Sequence, residues 1–357
     1  MSQPERRAAP VLSVMDMVPV SAGHSRADAL TDMIALARAA DVAGYEHFWL
    51  AEHHGSTTYL SSATIVLMGQ VLAATERMGV ASGGIMLPNH APLVVAEQIG
   101  TLATLYPGRV ELGLGRAPGT DRLTAAALRR GASDPGRFAE EILEILTYLG
   151  DEPVPERLPG SLLLGASSAP DDAAQMPGPD APRVRAIPGE GTHPTVWVLG
   201  SSVNGARVAG RLGLPFAVAS HFAPVQAEAA IATYRSVLES RAEEAQSAQA
   251  LRPVPRVAAA VNVMVAPSQD EARFLFSTAM AAAARIVGNR PAPLDPPTED
   301  PQAWRAYAPG REAAVETAMS LSFVGTADDV ASRLRELADR WDLDEILVVT
   351  YAHDPAL

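Results

Sequence analysis

The chain has 357 residues, 48% of them hydrophobic and 19% charged, which allows one large domain or two smaller ones with a sizeable core. Cysteine is absent, so disulfide bonds, thiolate metal ligands and a cysteine nucleophile are excluded. With a net charge of −13, scattered basic residues and no long apolar run, we expect a cytoplasmic protein that binds neither nucleic acid nor membrane.

Short runs rich in Val, Leu and Ile alternate along the chain with longer helical patterns, which is typical of parallel βαβ units. The predicted strands are residues 11–17, 47–51, 78–87, 110–114, 196–200, 216–220, 257–265 and 345–349. The predicted helices are residues 27–43, 61–75, 94–106, 137–149, 203–212, 226–246, 268–287 and 328–341. Eight strands interleaved with helices favour a closed (β/α)8 TIM barrel, of class α/β, over an open sheet.

Three segments depart from this alternation. Residues 1–10 are polar and are predicted to be disordered, so that residues 11–357 form a single barrel domain. After the fourth strand and its helix, residues 151–193 are crowded with Pro, Gly, Ser and Ala, which predicts a mobile insertion or lid. A second, proline-rich insertion is predicted over residues 290–309, after the seventh strand.

Polar residues at the carboxyl ends of the strands are expected to form the active site, because active sites of parallel barrels collect there. These residues are Asp16, Glu52, His53, His54, Asn89, His90, Arg116, Ser201, Ser202, His221 and His353. Neighbouring side chains of a strand point to opposite faces, so at most one of His53 and His54 faces the barrel axis. A His-x-His pair would suit a metal better, and we therefore assign no metal ligand.

Two further patterns suggest a flat, phosphorylated ligand. The segment GLGRAPG (residues 113–119) is a weak dinucleotide signal, but its glycines suit close approach of a flat ligand; a tight turn is the alternative. Ser201 and Ser202 precede a predicted helix, where they form an anion site or a simple N-cap. Together with Arg116 and Arg137 they indicate a phosphate pocket, although a solvated helix surface is the alternative for Arg137.

Several motifs resemble those of bacterial-luciferase-like flavin-dependent monooxygenases. They are FWLAEHH (48–54), GGIMLPNHAP (83–92), AEQ (96–98), PGRVELGLGR (107–116) and VGTADDV (324–330). Within that family, LSVMD (12–16), RAPGTD (116–121) and SHFAP (220–224) are similar to the mensacarcin-type branch. The resemblance covers most of residues 11–354, and it is specific for the family and weak for the substrate.

The resemblance implies an FMN-dependent monooxygenase that oxygenates a small organic substrate with O2 through a C4a-peroxyflavin. It also implies a separate flavin reductase as transient partner, which supplies reduced FMN, and a homodimer. His53 is then the catalytic residue. The implied cofactor-binding residues are Gly83, Gly84, Gly115, Arg116, Arg137, Ser201 and Ser202, with a non-prolyl cis peptide at Gly83-Gly84. Residues expected to line the substrate pocket are Asp16, Asn89, His90 and His221.

Two alternatives stay open at this point. One is a non-catalytic, flavin-binding accessory subunit. The other is a metal-dependent barrel hydrolase that uses His53, His90, His221 and Asp16. A deazaflavin in place of FMN is also compatible with the sequence.

Overall fold

The computed structural model describes residues 9–117, 119–128, 135–150, 184–245 and 256–357. Its strands are β1 (Val11–Asp16), β2 (His47–Leu50), β3 (Gly79–Ser82), β4 (Ile85–Met86), β5 (Val110–Gly115), β6 (Thr195–Gly200), β7 (Phe216–Val218), β8 (Val257–Val265), β9 (Ser322–Gly325) and β10 (Glu345–Val349). Its α-helices are α1 (Arg26–Ala43), α2 (Thr64–Ala74), α3 (Pro92–Leu105), α4 (Arg122–Leu128), α5 (Phe138–Leu149), α6 (Val203–Leu212), α7 (Ala227–Ala245), α8 (Gln269–Val287), α9 (Glu312–Ala318) and α10 (Ala327–Trp341).

The strands form a closed parallel barrel. Its order is β1, β2, β3, β5, β6, β7, β8 and β10, and the ring closes because β10 pairs with both β8 and β1. The predicted (β/α)8 architecture is thus confirmed, with a strand at each of the eight predicted places. The third strand differs from the prediction: it is broken at Gly83-Gly84 and resumes as β4, which pairs with β5. Strand β9 was not predicted and pairs with the far end of β8, outside the ring.

Both faces of the barrel strands are buried, which explains why the strands appear in the sequence as nearly continuous apolar runs. Along β2, Phe48 and Leu50 pack beneath the outer helices, while Trp49 between them belongs to the core inside the ring. Trp49 meets Trp197 of β6 edge to face, with ring centroids 5.3 Å apart. Large side chains therefore fill the lower part of the barrel, and space for a ligand remains only above them.

Local sequence sets the helix ends, as α1 illustrates. Ser25 accepts a hydrogen bond from the backbone N–H of Asp28, and the Asp28 carboxylate accepts one from the backbone of Ser25. The helix ends at Gly44, whose φ of 89° is a left-handed conformation that glycine adopts without a steric cost.

The two predicted insertions are described to different extents. Residues 1–8 and most of the predicted lid, residues 151–183, lie outside the described residues. The end of that insertion packs on α3, where the backbones of Gly100 and Gly189 approach so closely that a Cβ on either glycine would overlap the other. The 290–309 insertion packs on α8 through buried Trp304 and an Arg285–Asp295 ion pair of 2.7 Å. No helix in the described part of the chain is both long and apolar enough to span a membrane.

Charged groups are buried at the amino end of the barrel. Glu345, at the start of β10, lies 2.9 Å from His47 Nδ1 and 3.0 Å from Arg256 Nη2. Arg256 also contacts Glu111 at 3.3 Å and stacks over Trp197, 4.7 Å from its ring centre. We call these four side chains (His47, Glu111, Arg256 and Glu345) the basal network. It joins the beginnings of β2, β5 and β10 to the residue that precedes β8.

Candidate active site

A cavity of about 480 Å³ opens at the carboxyl ends of the barrel strands. Its walls come from the ends of β1, β2, β5, β6, β7 and β10 and the loops that follow, and most of the lining is apolar. Of the residues predicted to form the site, seven line this cavity: His53, Gly83, Gly115, Arg116, Ser201, Ser202 and His221. The fold therefore brings together residues that are up to 168 positions apart in the sequence (221 minus 53).

Glycines form part of the cavity wall because side chains do not fit there. The Gly83-Gly84 peptide is cis. A Cβ on Gly83 would lie 2.9 Å from Met15 Cε, and one on Gly84 would lie 2.7 Å from the carbonyl oxygen of Gly113. At Gly115 a Cβ would lie 3.0 Å from Met86 Sδ. Bare backbone at Gly83 and Gly115 leaves a surface that a flat ring system can approach closely.

Two histidines in the cavity wall carry no charge at neutral pH. Burial lowers the pKa of His53 to about 4, against a smaller opposing effect of the Glu52 carboxylate. Burial and the nearby His53 lower the pKa of His221 to about 3. The Nδ1 atoms of both rings are buried and have no hydrogen-bond partner among the residues that the structure describes. Because an unpaired buried nitrogen is costly, these two atoms mark a place where a bound molecule can supply the missing partner.

The rim of the cavity provides donors for an anion. Ser201 and Ser202 follow β6, and Ser202 is the N-cap of the ten-residue helix α6 without using its side chain for capping. The first N–H groups of α6 therefore lack a side-chain acceptor. Arg116 follows β5, the strand paired with β6, is exposed, and forms no ion pair with a described residue. A helix N-terminus, hydroxyl groups and a free guanidinium are together suited to a phosphate group.

The remaining predicted residues lie elsewhere. Asp16 is buried beside the cavity without lining it, and its carboxylate accepts a hydrogen bond of 2.8 Å from the backbone N–H of Val18. Burial raises the pKa of Asp16 to about 6. Gly84 lies behind Gly83 against β5. Arg137 is exposed at the start of α5 and contacts Glu140 at 3.4 Å, so it does not reach the cavity as described.

Asn89 and His90, expected in the substrate pocket, belong instead to a separate polar cluster. The chain turns through a short 3-10 helix (Leu87–Asn89) after β4, and this turn carries both side chains away from the cavity. His90 Nε2 lies 2.9 Å from Glu52 Oε1, and His54 Nε2 lies 2.8 Å from the same oxygen. Burial raises the pKa of Glu52, but hydrogen bonds from His90 and His54 outweigh that effect and hold it below its ordinary value.

This arrangement does not support the metal-dependent hydrolase. The four residues proposed for it are divided among three places: His53 and His221 at the cavity, Asp16 beside it and His90 at the Glu52 cluster. Among the described residues, the group of three or more side chains with metal-ligand spacing is Glu52, His54 and His90.

Sequence reasoning missed two tyrosines that line the cavity. Tyr351 follows β10 by two residues, so the rule of strand ends was sufficient to find it. Its hydroxyl lies 3.2 Å from Met17 Sδ, and burial raises its pKa well above the ordinary value. Tyr59 comes from the loop after β2 and packs against the His53 ring with centroids 5.2 Å apart. No periodic pattern marks Tyr59, because a loop residue has no fixed spacing from its strand.

Comparison with known proteins identifies the family. The family model described as luciferase-like monooxygenase matches residues 12–342. The chain belongs to this family. It is therefore an oxidoreductase of the monooxygenase type, as the resemblance implied. A luciferase-like monooxygenase of Escherichia coli (strain K12) is 39% identical over 337 residues, which is 94% of this chain and 90% of the relative.

Two solved structures share the fold. The crystal structure of apo-MsnO8 is 30% identical in sequence and superposes with a TM-score of 0.76. The match covers 98% of this chain and 95% of the MsnO8 chain, and it agrees with the predicted mensacarcin-type branch. The oxygenating constituent of 3,6-diketocamphane monooxygenase from a Pseudomonas putida plasmid, solved in complex with FMN, is 18% identical with a TM-score of 0.66. It covers 98% of this chain and 94% of its own. At that identity the second structure supports the fold alone.

Proposed function

We propose that this luciferase-like monooxygenase uses reduced FMN, supplied by a separate reductase, and O2 to oxygenate a small organic molecule. The observation that carries the proposal is the glycine-lined, mostly apolar cavity with donors for a phosphate at its rim. FMN is a flat tricyclic ring joined by a flexible chain to a phosphate, so a single cavity must offer both kinds of surface. The FMN complex of the camphane-type monooxygenase, which has the same fold, is consistent with this choice.

The described residues fit FMN in two parts. Gly83 and Gly115 would lie against the ring system, where any larger residue would occupy the space or displace Met15 or Met86. Arg116, Ser201 and Ser202 would hold the phosphate through a guanidinium, two hydroxyls and the N-terminus of α6. Arg137 is not included in this set, because its side chain contacts Glu140.

When bound, the reduced flavin supplies the electrons that activate O2. The chain itself excludes water with its apolar walls, which limits unproductive release of peroxide. His53 and His221 stay neutral, and Nδ1 of His53 is free to accept a hydrogen bond or hold a proton. His53 is accordingly the proposed catalytic residue, and His221 with Tyr59 and Tyr351 would contact the substrate.

The experiment compares FMN with riboflavin, which lacks the phosphate. Arg116→Ala should weaken FMN binding by roughly 10- to 100-fold, since a hydrogen bond to a charged group contributes about 1.5–3 kcal/mol. Riboflavin binding should change little. Arg137→Ala is the matched control and should leave both affinities unchanged. Equal losses for FMN and riboflavin would contradict the phosphate assignment.

The same titration tests the alternatives. Stronger binding of a deazaflavin than of FMN would contradict the choice of cofactor. Binding of reduced FMN without faster consumption of O2 and without formation of an oxygenated product would support a flavin-binding accessory subunit instead. Reduced FMN should be generated by an added reductase, so that its supply does not limit the result.

We further propose that the chain forms a homodimer through α2 and α3. These neighbouring helices expose the apolar side chains of Val66, Val94 and Leu105 on the barrel surface, and a second copy of the chain would cover them. Light scattering at micromolar concentration should give twice the mass of the chain, and Val66→Lys combined with Leu105→Lys should give a monomer. A monomeric unmodified protein would contradict the proposal.

A further inference from the structure

We propose that Glu52, His54 and His90 form a binding site for Zn²⁺ next to the cavity, with one carboxylate oxygen and two imidazole nitrogens as ligands. Glu52 Oε1 lies 2.8 Å from His54 Nε2 and 2.9 Å from His90 Nε2, and the three ligand atoms lie within 4.8 Å of one another. The site does not depend on the proposed flavin chemistry, since none of these three residues lines the cavity.

The spacing of the motif puts two of the ligands on one side of the chain. Residues 52–54 lie just beyond β2, which ends at Leu50, and Glu52 and His54, two residues apart, share a side there, since Glu52 Oε1 and His54 Nε2 are 2.8 Å apart. His53 lines the cavity, whereas Glu52 and His54 face the opposite way. The favourable i, i+2 pair in this segment is thus a carboxylate and an imidazole rather than two imidazoles.

Backbone hydrogen bonds fix the segments that carry the ligands. The N–H of His54 donates to the carbonyl of Gly119 at 3.3 Å, and the hydroxyl of Thr120 donates to the carbonyl of His54 at 2.8 Å. The N–H of His90 donates to the carbonyl of Leu87 at 2.9 Å, which closes the short 3-10 helix. A site held in this way loses little conformational entropy when an ion binds.

The charges around Glu52 leave room for a cation. This side chain is only 1% exposed, and no arginine or lysine among the described residues forms an ion pair with it. Glu345, the other deeply buried carboxylate, has Arg256 at 3.0 Å in addition to a histidine. A buried carboxylate is expensive unless it is paired with a cation or bound to a metal. Divalent zinc would supply the fixed positive charge that no arginine of the described residues supplies to Glu52.

Ligand chemistry and access favour zinc. Imidazole nitrogen and carboxylate oxygen are common zinc ligands at about 2.0–2.2 Å, which places neighbouring ligands of a tetrahedral ion roughly 3.3–3.6 Å apart. The present separations of 2.8 and 2.9 Å require each imidazole to move outward by well under 1 Å. The side chain of His90 is 28% exposed, so solvent reaches the cluster and water can complete the coordination.

A bound ion would have a structural role, holding two segments together, and not a catalytic one. The ion would join the end of β2 to the segment after β4, on the outer side of the chain that carries His53. It would thereby fix the position of His53 from behind, without entering the cavity. Zinc is therefore expected to change stability and the mobility of this wall.

The test uses the full-length, untagged protein after removal of metal with EDTA. Equilibrium dialysis against buffered Zn²⁺, with metal measured by mass spectrometry, should give one ion per chain. Co²⁺ should give the visible absorption of a nitrogen- and oxygen-ligated ion. His90→Ala and Glu52→Gln should each lower the affinity by roughly 100-fold or more, since even the loss of a residue that only supports a ligand costs 10- to 100-fold. His24→Ala, which removes an exposed histidine beside His353, is the control and should retain binding.

Two results would overturn the proposal. The first is the absence of a stoichiometric site in the unmodified protein, which would show that Glu52 is stabilised by hydrogen bonds alone. The second is Zn²⁺ binding that survives His90→Ala or disappears with His24→Ala. If His90→Ala does not fold, His90→Gln replaces it, because glutamine has a similar volume and can keep a hydrogen bond to Glu52. Loss of the Co²⁺ absorption in His90→Gln would support the site, and unchanged absorption would contradict it. None of these readouts depends on flavin or turnover.

Discussion

Replacement of Glu345 by Gln should test whether the basal network stabilises the barrel separately from its chemistry. The Glu345 carboxylate accepts a hydrogen bond of 2.6 Å from the Ser13 hydroxyl and one of 3.0 Å from Trp49 Nε1. It also pairs with His47 and with Arg256. Glutamine keeps the volume but removes the charge and turns one acceptor atom into a donor. At least one buried donor then faces another donor.

The expected loss of stability follows from these contacts. Breaking a buried ion pair by removing one partner costs about 3–5 kcal/mol, mainly because the other charge is left uncompensated. Arg256 is not left entirely alone, since it keeps Glu111 at 3.3 Å and remains partly exposed. We therefore expect Glu345→Gln to lower the free energy of unfolding by about 3 kcal/mol. An exposed pair such as Arg340–Glu228 should contribute about 1 kcal/mol or less.

Urea unfolding followed by tryptophan fluorescence measures both variants, because Trp49 and Trp197 lie within the barrel core. Arg340→Ala serves as the control. FMN affinity per folded molecule should be unchanged in Glu345→Gln, since the basal network and the cavity are at opposite ends of the strands. A loss below about 1 kcal/mol, or weaker FMN binding without a loss of stability, would refute this reasoning.

Three further predictions concern the same structure. The contribution of the basal network to stability should be greatest between pH 4.5 and 6.5. Burial lowers the pKa of His47, but contacts with Glu345 outweigh it and raise the pKa, so the contribution of His47 is complete below 6.5 and is lost as pH rises through the raised value. Burial raises the pKa of Glu345, but hydrogen bonds outweigh it and lower the pKa, so the contribution of Glu345 is complete above 4.5 and is lost as pH falls. The difference in unfolding free energy between the unmodified protein and Glu345→Gln should therefore shrink below pH 4.5 and above pH 6.5, and a difference that stays constant there would contradict both assignments. Gly84→Ala should lower the free energy of unfolding by about 1–3 kcal/mol, because the added Cβ would meet the backbone of Gly113. Gly83→Ala should still fold, because its Cβ would meet the flexible end of Met15, but it should bind FMN more weakly in a fluorescence titration. His53→Ala should fold, bind FMN and release peroxide instead of product, while His54→Ala should mainly lower the melting temperature, by the equivalent of about 1–3 kcal/mol; the reverse pattern would show that the register is shifted by one residue.

The barrel was predictable because its strands are buried on both faces. Runs of Val, Leu and Ile give a strong signal even without alternation, and seven of the eight predicted strands appear as single elements close to the predicted bounds. The third strand is interrupted at Gly83-Gly84, where Gly84 packs against the backbone of Gly113 in β5, and a contact with a distant strand cannot be read from the local sequence. Strand β9 was missed because it has four residues and lies outside the ring, where only Phe323 and Gly325 are buried.

The site was predictable where a strand end decides the position of a side chain. Arg116, Ser201 and Ser202 directly follow strands and His53 lies three residues beyond the end of β2, and the structure places all four at the cavity. Asn89 and His90 also come soon after a strand, but Asn89 ends a 3-10 helix and His90 caps it, and both side chains contact Glu52 instead of lining the cavity. The residue preferences of this segment do not distinguish a 3-10 turn from a continued strand, because Pro88 is compatible both with the start of a helix and with the end of a strand.

The distribution of charge explains why the carboxyl end of the barrel is suited to chemistry. At the amino end, Glu345 and Glu111 are paired with Arg256, so buried charge is compensated and holds the strands in place. In the cavity, burial has the opposite result: His53 and His221 lose their charge and keep unpaired nitrogen atoms. Because the barrel does not need these residues to hold its strands together, the cavity is free to keep polar atoms that only a ligand satisfies.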